Sequence, residues 1–282
     1  MPVFGRCDAQ SRVLRIRLFS VTLAVAAVAG LMQPARAACP PHSTAETHVW
    51  GGGLCLAVNT FGAAEAGPAP TLVVVVHGDI SDGGRATYHA AFARNVARPG
   101  VVAVALMRPG YADADGRLSD GHTLGRGDNY TPQVVTAIGS AINVLKAHYR
   151  AQRVIYVGHS GGAAIGGVLI GRRPGLIDAA LLVSCPCDIA AWLKARGRPP
   201  WKRSLSPADH VHRVPATTRV VVMTGSEDIN TFPALAQDYA AALTARGIPA
   251  HFEPVEGAGH GFRGLERAVA AALDRMLAPG AE

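Results

Sequence analysis

The chain is 282 residues long, 49% hydrophobic and 17% charged. That composition supplies a sizeable core and excludes an intrinsically disordered protein. The formal net charge of +7 is concentrated at the front: residues 1–37 hold five Arg and one Asp, which leaves +3 for the rest. The later Lys and Arg are scattered, with no basic run interleaved with aromatics, so nucleic acid is excluded as an expected partner.

In chain order, Arg6, Arg12, Arg15 and Arg17 precede an apolar run, Leu18–Met32, and then Ala35-Arg36-Ala37. A basic start, a short apolar stretch and an A-x-A site predict a secretory signal peptide over 1–37, with an exported mature chain over 38–282, periplasmic or extracellular. The run is too short for a bilayer span, so no stable membrane insertion is expected after cleavage. Arg36 spoils a lipobox before Cys39. Export leaves Cys39, Cys55, Cys185 and Cys187, and disulfides are expected. Cys39–Cys55 is the favoured pair, stapling the N-terminal segment to the first hairpin. Closure of Cys185-Pro186-Cys187 on itself is expected to be strained.

Thr47–Trp50 and Leu54–Val58 flank Gly51-Gly52-Gly53 and predict a hairpin. Thr71–Val76 (TLVVVV), Val101–Leu106, Val154–Val157, Ala180–Ser184 and Val220–Met223 are continuous apolar runs rich in β-branched residues. Such runs suit strands buried on both faces of a parallel sheet. His251–Val255 is a weaker last strand. Helices are predicted over Thr87–Ala97, Pro132–Tyr149, Gly161–Arg172, Pro233–Arg246 and Leu265–Leu277, with Pro132 and Pro233 at first-turn positions. The alternation predicts an α/β fold: one mostly parallel sheet with helices on both faces. Pro186–Pro207 is left as a short lid carrying Trp192, Trp201 and several Lys and Arg. It is a possible wall of a substrate pocket, though both Trp side chains are equally expected simply to pack the loop down. Arg108-Pro109-Gly110-Tyr111 is a candidate for lining the cleft. Asp113, Asp115, Asp120 and Asp128 fall in a Gly-rich stretch that lacks the rest of a calcium pattern, and it reads as a solvated loop.

Gly158-His159-Ser160-Gly161-Gly162 matches G-x-S-x-G. It directly follows one predicted strand and opens a predicted helix, the setting of a nucleophile elbow. Small residues let the strained turn pass close to its neighbours, and the helix N-terminus aims its dipole and N–H groups at the same place. A serine hydroxyl needs a base. His260, in the loop Gly257-Ala258-Gly259-His260-Gly261, is the candidate. Asp228, just past a buried strand, is the candidate to orient it, with Glu227 as runner-up. The N–H groups of Gly161 and Asp79 are the candidate oxyanion donors, with Ile80 next. The Asp79 carboxylate is expected to point away from a developing oxyanion.

Thr71–Leu277 resembles the α/β-hydrolase superfamily. The stretch from Leu205-Ser206-Pro207 through Thr224–Asp228 to Gly259–Phe262 is similar to its prolyl-oligopeptidase and dienelactone-hydrolase-like branch. The resemblance implies a catalytic triad of Ser160, Asp228 and His260. The expected function is hydrolysis of a small acyl substrate, an ester first and a peptide or amide second. A catalytically inactive binding protein on the same fold is a third alternative. No metal or organic cofactor is implied.

Overall fold

The structure, a computed structural model, describes residue 39 and residues 45–80, 84–123 and 127–278. The leader read at residues 1–37 lies outside these. One eight-stranded sheet organises the described chain, in the order β1-β2-β4-β3-β5-β6-β7-β8. β1 (His48–Gly51) and β2 (Leu54–Phe61) form the antiparallel hairpin at one edge, turned by Gly52 and Gly53 at φ 56° and 115°. β2 also runs antiparallel to β4 (Val101–Leu106). From β4 onward every pairing is parallel: β3 (Thr71–Val76), β5 (Arg153–His159), β6 (Ala179–Val183), β7 (Arg219–Gly225) and β8 (Ala250–Val255). β8 is only half-buried, which explains its weak apolar signature.

The central strands are apolar at every position because both sheet faces are covered. Leu72, Val74, Val154, Tyr156, Leu182 and Val222 face one cluster, which takes in α2 (Pro132–His148), α3 (Gly161–Arg172) and α5 (Pro233–Thr244). Their alternates Val73, Val75, Ile155, Val157, Leu181 and Val221 face the other, built from α1 (Tyr88–Val96) and α6 (Phe262–Leu277). Pro132 occupies the first turn of α2, and the Thr131 hydroxyl caps it by accepting from Val134 N–H; a missing proline N–H costs nothing there.

Three expectations need correction. The lid is not all loop: Asp188 accepts from Ala191 N–H at 2.9 Å and caps a short helix, α4 (Ile189–Ala195), and a 3-10 helix spans Pro207–Arg213. The Asp-rich stretch is solvated only in part, at Asp115 and its neighbours. Asp113 is buried and receives Arg117, and Asp120 accepts from Cys55 N–H. Asp128 receives the N–H groups of Lys202, Arg203 and Ser204, tying the stretch to the lid. Finally, Cys185 and Cys187 do pair with each other, alongside Cys39–Cys55. Ser184, at φ 48°, turns the chain as it leaves β6, and the two Cα atoms lie 5.0 Å apart across Pro186. Among the described residues no helix is long and apolar enough to cross a membrane.

Candidate active site

The parallel strands end on one side of the sheet, and the loops that leave β3, β5, β6 and β7 converge there, as open α/β sheets arrange their sites. β5 terminates at His159, and Ser160 follows at φ 52°, ψ −116° before α3 begins. A side chain at positive φ is held only where the surroundings over-determine it. Here the Ser160 N–H donates to Val183 C=O at 2.8 Å, and the turn is clasped by backbone on every side. A Cβ on Gly158 would sit 2.6 Å from the Gly162 carbonyl oxygen, and one on Gly162 would collide with the Val76 carbonyl oxygen. The glycines of the motif are therefore steric requirements of this turn.

His260 reaches back from the loop between β8 and α6. Its Nε2 lies 3.1 Å from Ser160 Oγ and its Nδ1 lies 2.9 Å from Asp228 Oδ2. The Asp228 side chain is fully enclosed, and His260 is a quarter exposed. Asp228 Oδ1 accepts the N–H groups of Asn230 and Thr231, both at 2.8 Å, and Oδ2 accepts the Thr231 hydroxyl at 2.8 Å. Burial by itself would raise the Asp228 carboxyl. The bond to and charge of His260, then the Thr231 bonds, outweigh it and hold the carboxyl down to about 2. The three residues singled out in the sequence thus form one hydrogen-bonded chain, whereas the runner-up Glu227 is exposed and lies outside it.

The β3 loop runs directly beside the serine: a Cβ on Gly78 would come within 2.8 Å of Ser160 Cβ. Asp79 follows in the same loop. Gly161 opens α3, where the first N–H groups have no intrahelical acceptor. Asp79 lines the same cavity as Ser160, with its carboxylate bound to buried partners. Its Oδ1 accepts from Arg108 Nη1 at 2.7 Å and from the Tyr111 hydroxyl at 3.2 Å, and its Oδ2 accepts from the Tyr130 hydroxyl at 3.0 Å. The fully buried Arg108 side chain supplies the counter-charge that lets the carboxylate stay. Arg108 and Tyr111 therefore do not line the cleft but form a buried wall behind it, with Arg108 packed against Gly161.

Sequence reasoning missed a second set of supports. His159 donates from Nε2 to the His260 carbonyl at 2.9 Å. Its Nδ1 accepts the Tyr88 hydroxyl at 2.8 Å, and Tyr88 in turn accepts the Gly78 N–H at 2.7 Å. Burial, then the neighbouring His260, lowers His159 to about 4 and keeps the imidazole neutral. This relay joins the β3 loop, α1, the elbow and the His260 loop. Only Thr231 had a local signal, since a carboxylate accepting N–H groups two and three residues on is an Asx turn.

The cavity over Ser160 encloses about 450 Å³ and is bounded by Asp79, Tyr130, Trp192, Arg196, Arg198 and Asn230, besides the catalytic candidates. Trp192 both lines it and latches the lid, donating Nε1–H to the Asn230 carbonyl at 2.7 Å. Trp201 packs between Trp192 and Tyr130 at centroid separations of 5.3 and 5.5 Å. A larger cavity of about 810 Å³ beside Lys202 and Arg203 contains neither Ser160 nor His260, so the chemistry is assigned to the smaller one. Among the described residues no group of His, Cys, Asp and Glu is arranged to hold a metal ion.

The fold has many solved relatives. Est1E from Butyrivibrio proteoclasticus, with ferulic acid bound, superposes with a TM-score of 0.60 at 15% identity, covering 82% of this chain and 100% of that one. Esterase 2 of the planctomycete Thermogutta terrifontis, in its propionate-bound form, gives 0.57 at 17% identity over 79% and 88%. A puromycin-hydrolyzing peptidase of Mycobacterium tuberculosis gives 0.64 at 20% identity, covering 80% of this chain but 36% of the peptidase. At these identities the likeness establishes the α/β-hydrolase fold. No curated protein matches the sequence. Residues 93–278, which carry Ser160, Asp228 and His260, match the prolyl oligopeptidase family, and the chain belongs to that serine hydrolase family.

Proposed function

We propose that the protein is an exported serine esterase acting on small acyl substrates through Ser160. The observation that carries this reading is the continuous chain from Ser160 Oγ through His260 to the enclosed Asp228 carboxylate, opening on a cavity of about 450 Å³. A cleft of that size suits a small molecule. His260 Nε2 takes the proton of Ser160 as Oγ bonds to the acyl carbon. The Gly161 and Asp79 N–H groups receive the oxyanion. The bond from acyl carbon to alkoxy oxygen then breaks, and His260 returns the proton to the departing alcohol. Water, deprotonated by the same imidazole, resolves the acyl-enzyme and releases the acid. Asp228 holds the His260 tautomer and balances the imidazolium throughout. Cys39–Cys55 and Cys185–Cys187 agree with an oxidising compartment.

The ester preference draws on the full-length match to Est1E. A peptidase reading draws on the match to the puromycin-hydrolyzing enzyme, of which this chain spans about a third. Hydrolysis of short-to-long p-nitrophenyl esters, beside aminoacyl p-nitroanilides, separates the two. Ester turnover that falls about a thousandfold or more in Ser160→Ala is the expected result. Anilide turnover exceeding ester turnover would favour the peptidase. An enzyme with no turnover and no fluorophosphonate labelling of Ser160 would be a binding protein on this fold.

A further inference from the structure

Between Ile189 and Ala208 the chain contains five cations, Lys194, Arg196, Arg198, Lys202 and Arg203, and no Asp or Glu. Residues 38–282 carry a net +3, so this lid holds more than the whole excess. Two of the five reach the cleft, and the others line neighbouring cavities. Arg196 and Arg198 line the cavity that contains Ser160 and His260. Neither forms an ion pair among the described residues. Arg196 donates Nη1–H to the Ile229 carbonyl at 3.2 Å, a bond that places the side chain beside the cavity and leaves the other guanidinium donors for a ligand.

The negative charges nearby do not cancel these two. Asp79 is held by the buried Arg108, and Asp228 is enclosed against His260. Asp209 lines the adjacent cavity with Arg198 and does not pair with it. The cavity is therefore negative only at its Asp79 side, where the charge is compensated, and positive at its lid side. Guanidinium groups recognise planar carboxylates through paired N–H donors.

We propose that the physiological substrate is an ester bearing a free carboxylate, whose anionic end is held by Arg196 and Arg198 while its scissile carbonyl meets Ser160. This rests on the esterase reading above and adds the substrate class to it. The small cavity fits a short hemiester, extended with its carboxylate toward α4 and away from Asp79.

The test compares mono-4-nitrophenyl adipate with 4-nitrophenyl hexanoate, which differ by the terminal carboxylate. In the wild-type protein kcat/KM is expected to be higher for the adipate. The ratio of the two is expected to fall about tenfold in Arg198→Gln and further in Arg196→Gln/Arg198→Gln, chiefly through KM. A hexanoate preference, or an adipate advantage that survives the double substitution, overturns the proposal while leaving the esterase intact. If neither ester turns over, fluorophosphonate labelling of Ser160 reads the same site. Protection by free adipate that the double variant loses supports the proposal, and no protection overturns it. Absence of both turnover and labelling overturns the serine hydrolase reading and this inference together.

Discussion

The loops that follow β3 and β7 each bring an aspartate to the neighbourhood of Ser160, yet the two carboxylates are held in opposite ways. Asp228 faces an imidazole and a hydroxyl, inside a turn of its own backbone N–H groups. Asp79 faces a buried guanidinium and two phenols. The same side chain is thus the partner of an imidazole in one loop and a structural counter-ion in the other. What decides the role is the group across from it: an imidazole can accept and return a proton, whereas a guanidinium holds its charge. The supports also differ in kind. The β7 loop rests on an ionised carboxylate. The β3 loop rests on neutral imidazoles, His77, His89 and His159, all buried.

Substituting each aspartate is the strongest way to break this comparison. Asp228→Asn is expected to lower kcat about ten-thousandfold on p-nitrophenyl esters, because the amide offers His260 Nδ1–H a poorer partner and destabilises the imidazolium. A variant that keeps a tenth of the activity would remove Asp228 from the mechanism.

Acid should separate the two supports. His77 accepts the Arg108 N–H at Nε2 and donates from Nδ1 to the Gly78 carbonyl, so a second proton breaks the first bond. Burial, then His89 and Arg108, holds His77 well below the usual histidine range; burial brings His89 to about 3. Below pH 6.5 the unfolded chain takes up protons that these three residues refuse in the fold. Stability is therefore complete above that pH and declines as pH falls toward 4. His159 alone is worth about 3 kcal/mol across this window. Asp228 contributes in the same sense but in a lower window, with stability present above the ordinary carboxyl range and lost as pH falls from there through about 2. Thermal melts from pH 7 to pH 4 are expected to show a steady fall in Tm, reduced when His89 is replaced by Leu. A flat profile would mean that the β3 side is not held by neutral histidines.

The smaller effect is expected from Asp79→Asn, which leaves the Arg108 charge buried without its counter-ion. Partial exposure of Asp79 moderates the loss to about 2 kcal/mol in urea unfolding. The kcat is expected to fall by less than tenfold, because the main-chain donor remains. A loss of activity as deep as that of Asp228→Asn would erase the distinction between the two loops.

Much of this was legible locally. Runs such as Thr71–Val76 and Val220–Met223 have one physical home, a strand covered on both faces, and Ser160 announces itself because a strand, a glycine-clasped turn and a helix are contiguous in sequence. Asp228 and His260 were legible for the same reason, each lying just beyond a strand in a loop. The lid helix was harder to see. Ile189–Ala195 is too short to show a period, and only the Asp188 cap marks it. Asp113 and Asp128 looked like solvated charges because their partners are distant backbone groups or an arginine that composition alone does not assign.

The sequence by itself therefore determined the α/β class and singled out the three residues of the hydrogen-bonded chain, because each is written within a few consecutive residues and the backbone converts that order directly into geometry. Only the tertiary structure decided that Asp79 answers to Arg108, 29 residues away, and that His159 holds the carbonyl of His260, 101 residues away. It also decided that two lid arginines face the cleft. Those facts depend on which chain ends a sheet brings together, and a pairing across the sheet leaves no mark on the residues beside it in sequence.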